Sequence, residues 1–349
     1  MKLKNLYLAA AVVLGLSAVC LTGCESKCDS CEQMGELRHV SLDLTGSAVQ
    51  TKAVDVPSLS ESNVIKCLLY VFSSQGPLTQ VYSSTDGSFD FYLTDNTYDF
   101  VAVVNKADLP EGDRAANLTK KDLMSRITVM NDNAVGSFVM CGTLDGHVIQ
   151  ADEKITIEVR RVIAKVTYKV RTQFKGSLAE KDFVVEDIYM TNVVGSNDLA
   201  VTLNTPAAND SWFNRMNAED QSMAGYPADL LFGHIGKKFA QPKDSVATEM
   251  SPGHTFYVYP NATAPDNHDK TVWTPRCTRF VVKATLDGKT TYYPVTIGEV
   301  ARNKHYHIDL TISNYGVDHP EDLPEKMEYV EAMIRIADWE DGGIIRSSY

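Results

Sequence analysis

Most signatures of catalysis are missing from this chain. No Gly-rich phosphate loop follows a strand, and the Ser-rich loops contain no GxSxG elbow, so nucleotide and acyl-transfer chemistry lose their usual markers. His305 and His307 lie two apart in a strand and share a face, but they show no convincing full set of ligands around them. They read as part of an exposed strand face rather than as metal ligands. Aromatic residues are 9% of the chain and form no cluster suited to stacking sugars. Basic residues are outnumbered 33 to 45, giving a formal charge of −12. That balance excludes nucleic acid as a partner, because phosphate contacts need clustered Lys and Arg. No enzyme activity, cofactor or metal is expected.

Long hydrophobic runs are also scarce. The only one, Leu6 to Leu21, follows Lys2 and Lys4 and is too short for a spanning helix of about 20 residues. It fits the apolar region of a signal peptide. It ends in Leu21-Thr22-Gly23-Cys24, a lipobox in which Cys24 is acylated and becomes the mature N-terminus. Several acyl chains, each buried CH₂ contributing about 0.8 kcal/mol, make a stable anchor. Loss of Lys2 and Lys4 with the leader lowers the charge by two, to −14. Cys28 and Cys31 form a CxxC in a polar tether with no helix after it, a weak redox signal that fits a local disulfide or two idle thiols. Cys67, Cys141 and Cys277 sit in apolar strand contexts and read as small core residues.

What the chain does contain is period-2 alternation, the mark of half-buried strands. Val40, Leu42 and Leu44 alternate with Ser41 and Asp43 in a first strand. Val64 to Phe72 is apolar on both faces, as in a strand inside a sandwich. Leu78–Tyr82, Ser88–Leu93, Tyr98–Asn105 and Phe138–Gly142 follow as strands. Asn117 to Met130 is the best helix candidate, with Asn117 or Thr119 as cap. Later strands are expected at Phe183–Thr191, Leu199–Leu203, His254–Tyr259, Arg279–Leu286, Thr290–Ile297 and His305–Ile312. A final strand runs from Val330 through Ile334 and Ile336 toward Trp339. Residues 204–252 show no clear pattern and read as a surface excursion. Its aromatics Trp212, Phe213, Tyr226 and Phe232 either tack it to the body or contact a ligand.

The alternation changes phase at one place. Ile155, Ile157 and Val159 point one way, and beyond Arg160–Arg161 the apolar set becomes Val162, Ala164, Val166, Tyr168 and Val170. A one-residue slip sends later side chains to the opposite face, so the chain is expected to pass here from one β-domain to the next. A bulge within one large sheet is the alternative. The expected division is 1–23 signal peptide, 24–37 lipidated tether, 38–160 N-terminal β-sandwich and 161–349 C-terminal β-sandwich, an all-β fold with one short helix.

Several phrases resemble the fimbrillin-type proteins, the type V pilus subunits of Bacteroidetes. They are the lipobox, VIKCLLYVFSSQG (64–76), FVMCG (138–142), EVRRVIAKVTYKV (158–170), FYVYPN (256–261), ARNKHYHIDLTISNYG (301–316) and the close at Trp339. The resemblance spans about Arg38 to Trp339. It implies two tandem transthyretin-like sandwiches, export to the outer membrane as a lipoprotein, and assembly into an extracellular adhesive fimbrium. The partners it implies are other fimbrial subunits, the outer membrane through the lipid, and a receptor on a host or bacterial surface. In shaft members a trypsin-like protease cuts after an Arg beyond the first strand, and a neighbour's strand fills the groove. The matching loop here offers Lys52-Ala53, with Lys in place of Arg. The resemblance therefore names Val40, Leu42 and Leu44, and Val330, Ile334 and Ile336, as strand-exchange residues. A membrane-retained anchor subunit is the alternative, and a surface glycan- or protein-binding lipoprotein is a further one.

The lipobox has a direct test. Cys24→Ala is expected to abolish incorporation of a labelled fatty acid and to release the protein from the membrane fraction, whereas unchanged labelling would place the lipid elsewhere.

Overall fold

Alternating side chains decide the architecture, because a strand with one apolar face must find a second sheet to bury it. The computed structural model describes residues 36–46, 61, 63–74, 76–200, 212–215, 225–239, 248–250, 254–263, 269, 271–322, 330–339 and 345–347. In the first half the strands are β1 (Leu37–Gly46), β2 (Cys67–Ser73), β3 (Leu78–Ser84), β4 (Ser88–Thr94), β5 (Asn96–Val104), β6 (Ile127–Val129), β7 (Met140–Ile149) and β8 (Glu153–Arg161). All but β6 join one hydrogen-bonded path, in the order β3-β2-β5-β7-β8-β1-β4. The path folds over where β7 meets β8 through only two pairs, Met140 with Arg161 and Cys141 with Arg160. That corner makes two layers, β4-β1-β8 facing β3-β2-β5-β7. Val40, Leu42, Phe89, Phe91, Ile155 and Ile157 from the first layer pack on Leu69, Val71, Phe100 and Ala102 from the second.

As expected of a strand apolar on both sides, Cys67 to Phe72 is buried throughout. Its other face, with Leu68, Tyr70 and Phe72, enters a second and larger core. The helix is much shorter than the 117–130 expectation. Only α1 (Lys120–Met124) is helical, with the Thr119 hydroxyl accepting from the Asp122 amide. Beyond it the β-branched run Ile127-Thr128-Val129 pairs instead with a strand of the second half, a tertiary partner overriding local preference.

The second half contains β9 (Ala164–Thr172), β10 (Phe183–Thr191), β11 (Val193–Val194), β12 (Ser196–Asp198), β13 (Trp212–Phe213), α2 (Ala228–Leu231), β14 (Phe232–Phe239), β15 (Thr248–Met250), β16 (Phe256–Val258), β17 (Thr278–Leu286), β18 (Lys289–Gly298), β19 (Lys304–Ile312), β20 (Val330–Asp338) and β21 (Ile345–Ser347). One layer is β14-β10-β17-β18; the other is β9-β19-β20-β21, with β15 and β16 on the free side of β9. The phase change falls at Val162 and Ile163, both fully buried, which separate β8 in one sheet from β9 in another. The slip is a change of sheet. Leu199 lies in a turn rather than a strand, and the rest of the expected 199–203 strand lies outside the described residues. The 204–252 stretch, read as patternless, carries β13, α2, β14 and β15; β14, with its two Gly and its paired Lys, lacks a readable alternation.

From Leu37 to Tyr349 the chain is one compact unit. The larger core runs from Leu68 and Val101 in the first half to Phe280 and Leu310 in the second. A buried ionic group ties together segments of the second half. Glu321 accepts from Arg276 Nη1 at 2.9 Å, Arg279 Nη1 at 2.7 Å and Asn192 Nδ2 at 2.9 Å, with all three charged side chains at most 1% exposed. Among the described residues no helix is long and apolar enough to cross a membrane.

The sandwich corner is tight. A Cβ on Gly142 would stand 2.1 Å from the Glu158 carbonyl oxygen, where β7 passes β8. Gly142→Ala is expected to destabilise the protein by about 1–3 kcal/mol in urea unfolding, and an unchanged midpoint would mean that the corner yields freely.

Candidate assembly groove

β1 is the middle strand of its layer. It runs antiparallel to β4, with Val40 opposite Phe91 and Leu42 opposite Phe89, and parallel to β8, with Leu42 opposite Ile155 and Leu44 opposite Ile157. Both neighbours are remote in sequence, so β1 belongs to no hairpin. Val40 and Leu42 are 0% exposed, and Leu44 is half-buried against the same core. Fully burying such side chains contributes roughly 1.5–3 kcal/mol each.

The outward face of β1 is polar. Arg38 bonds Asp95 through two nitrogens at 2.7 and 3.1 Å, Ser41 donates to Asp90 at 2.5 Å, and Lys154 meets Asp43 at 2.6 Å. The Lys154 ammonium holds the Asp43 carboxyl below the usual carboxylate range. Exposed pairs of this kind add little to stability. What holds β1 is therefore its apolar face and its two ladders. Without it, Phe89, Phe91, Ile155 and Ile157 would line an open groove between two unpaired strand edges, a surface suited to strand addition.

The other named strand is elsewhere. Val330, Ile334 and Ile336 lie on β20, which pairs antiparallel with β19, placing Val330 opposite Ile312, Ile334 opposite Ile308 and Ile336 opposite Tyr306. Ile334 is buried. The fold does not bring β20 beside β1; they belong to different sheets. Leu21, Thr22, Gly23, Cys24, Cys28 and Cys31, and likewise Lys52 and Ala53, lie outside the described residues.

Sequence reasoning missed a buried polar site linking the two sandwiches. Glu61 is the first described residue after β1, and its side chain is 5% exposed. Its Oε1 lies 2.8 Å from Lys165 Nζ and accepts from Tyr257 Oη at 2.7 Å, while Oε2 accepts from Trp339 Nε1 at 3.1 Å. The Glu61 carbonyl accepts from Arg161 Nε at 3.0 Å, and the Arg161 guanidinium sits 4.3 Å above the Trp339 ring. Trp339 also stacks on Tyr257 and meets Phe138 edge-on. One signal pointed here: Arg161 occupies the same strand face as Ile155, Ile157 and Val159, and an Arg in that phase needs a buried partner.

Thr167 Oγ1 lies 2.7 Å from His305 Nε2 and 2.8 Å from His307 Nδ1, and burial lowers the His307 pKa. No group of three His, Cys, Asp or Glu side chains among the described residues is arranged to hold a metal. Trp212 and Phe213 are 0% and 7% exposed, and Phe232 stacks on Tyr189, so these aromatics tack their segment to the body. Tyr226 is half-buried and its hydroxyl accepts from Asn214.

No protein-family model matches the sequence, and no curated protein matches it. Solved structures match by shape. A candidate cell adhesion protein of Bacteroides eggerthii superposes with a TM-score of 0.63 at 15% identity, covering 88% of this chain and 97% of that one. A fimbrilin of Porphyromonas gingivalis gives 0.60 at 15% identity, over 86% and 97%. A candidate cell adhesion protein of Parabacteroides distasonis gives 0.56 at 15% identity, over 89% and 99%. The structural neighbours are fimbrillin-type proteins. At such identity the likeness is one of fold.

The Glu61 carboxylate yields a pH prediction. Burial pushes its pKa up, but hydrogen bonds from Lys165, Tyr257 and Trp339 outweigh that and hold it below its ordinary 4.5. A depressed folded value means that its stabilisation is complete above 4.5 and is lost as pH falls through the folded value. Between about pH 5 and pH 3 the unmodified chain should lose stability more steeply than Glu61→Gln. Equal slopes in urea midpoints would show that the charged form is not favoured.

Proposed function

We propose that this chain is a structural subunit of an extracellular adhesive fimbrium, a type V pilus, exported as an outer-membrane lipoprotein through Cys24 and assembled by donor-strand addition. The observation that carries the reading is β1 itself. It is a central strand with a fully buried apolar face, no hairpin partner, and only exposed ion pairs on its outer side. Such a strand can be removed as a unit after cleavage between Lys52 and Ala53, and a strand from another subunit can replace its ladders and its apolar contacts. The fimbrial and cell-adhesion neighbours support this role, and no turnover is part of it. The working division remains 38–160 and 161–349, supported by the change of sheet at Val162 and Ile163.

One alternative has an observation in its favour. Lys52 stands where an Arg-directed protease wants Arg, which suits an anchor subunit that keeps its lipid and its first strand. Ligand binding through Trp212 is less favoured, since that ring is buried.

Treatment of the full chain with a protease that cuts after Lys52 is expected to turn the monomer into ladders that resist denaturation on a gel. A product that is cut at Lys52 and stays monomeric would favour the anchor and sink the shaft role.

A further inference from the structure

The strand-addition reading leaves one question open to the geometry: what keeps the last strand at home. β20 has β19 along its whole length on one side. On the other side β21 pairs only with Ile334, Arg335 and Ile336. Beyond these ladders, the C-terminal end of β20 is fixed by Trp339, the residue directly after it. Trp339 is 5% exposed, and its indole N–H donates to Glu61.

The location of Glu61 in the chain is what matters. It follows the first strand, yet the side chains bonded to its carboxylate all come from the second half: Lys165 on β9, Tyr257 on β16, and Trp339 after β20. The segment that follows the removable strand therefore ends on the same carboxylate that grips the end of the final strand.

We propose that Glu61 is a latch on the last strand: by holding the Trp339 indole it keeps β20 seated in its own sheet, and β20 becomes available to a second subunit only when Glu61 lets go. The inference rests on the strand-addition reading and adds a regulating residue to it. The latch is poised to act as a unit. Withdrawing the carboxylate leaves the Lys165 ammonium and the indole N–H without their shared acceptor in a buried site, which such groups do not tolerate. The site then opens to water and the end of β20 frays. Glu61 is in this sense a positioning residue for the donated strand.

Amide hydrogen exchange of the full-length chain, read by mass spectrometry, tests the latch without requiring polymer. Two variants are compared with the parent: Glu61→Ala, and Trp339→Phe, which keeps an aromatic ring in place but removes the donor. Both are expected to speed exchange about tenfold in peptides covering Val330–Asp338 while peptides from β10 and β17 stay unchanged. The double variant should speed exchange in β20 no further than Glu61→Ala alone, because the hold on the Trp339 indole is already lost there. Unchanged exchange in β20, or an acceleration spread evenly over both sheets, overturns the latch whatever the gels show. Faster exchange in β20 with no ladder formed after cleavage at Lys52 leaves the hold of Glu61 on β20 standing and sinks the shaft role instead.

Discussion

The structure depends on the filling of one slot, the middle position of a three-stranded layer. A central strand makes two ladders and buries one face, so the layer cannot be left without an occupant unless two edges and a strip of aromatic and aliphatic side chains meet water. Here the occupant is β1. Its neighbours β4 and β8 are never adjacent to it in sequence, so the slot is filled by a segment the rest of the sandwich does not need for its own connectivity. The inner face of β1 is fully buried, and the outer face is tied only by exposed polar contacts.

The second constraint is the shared core. Tyr70 and Phe72 from β2 lie in the same apolar body as Tyr168, Phe280 and Leu310. Polar fasteners follow the same division. Arg302 donates to the carbonyls of Cys141, Arg160 and Arg161 and so stitches the turn before β19 to the sandwich corner. Glu61 and Glu321 are each buried and each satisfied by several donors. A buried acid with a full set of partners specifies position more than it adds stability, since desolvation offsets much of the attraction.

Much of the fold was legible from alternation. Val40 and Leu42, the doubly apolar run through Phe72, and the phase slip beyond Arg161 each mapped onto an element, because a strand's burial pattern is written at period 2 in its own residues. The helix was over-extended because Ile127-Thr128-Val129 is read at helical spacing only if its partner Ser196–Asp198 is ignored. β14 escaped because an edge strand with Gly233 and Gly236 and a largely exposed face carries no alternation to read. The Glu61 site escaped for another reason: its members span from Glu61 to Trp339, and no local window contains two ends of such a network.

By itself the sequence determined that the chain is all-β and which face of each strong strand turns inward, since these follow from composition and from neighbours one or two residues away. Only the tertiary structure decided that β1 is central rather than peripheral, that the two halves share a core, and that Glu61 holds Trp339. Those facts concern which remote segments meet, and pairing between remote strands is settled by the packing of whole sheets rather than by the residues of any one of them.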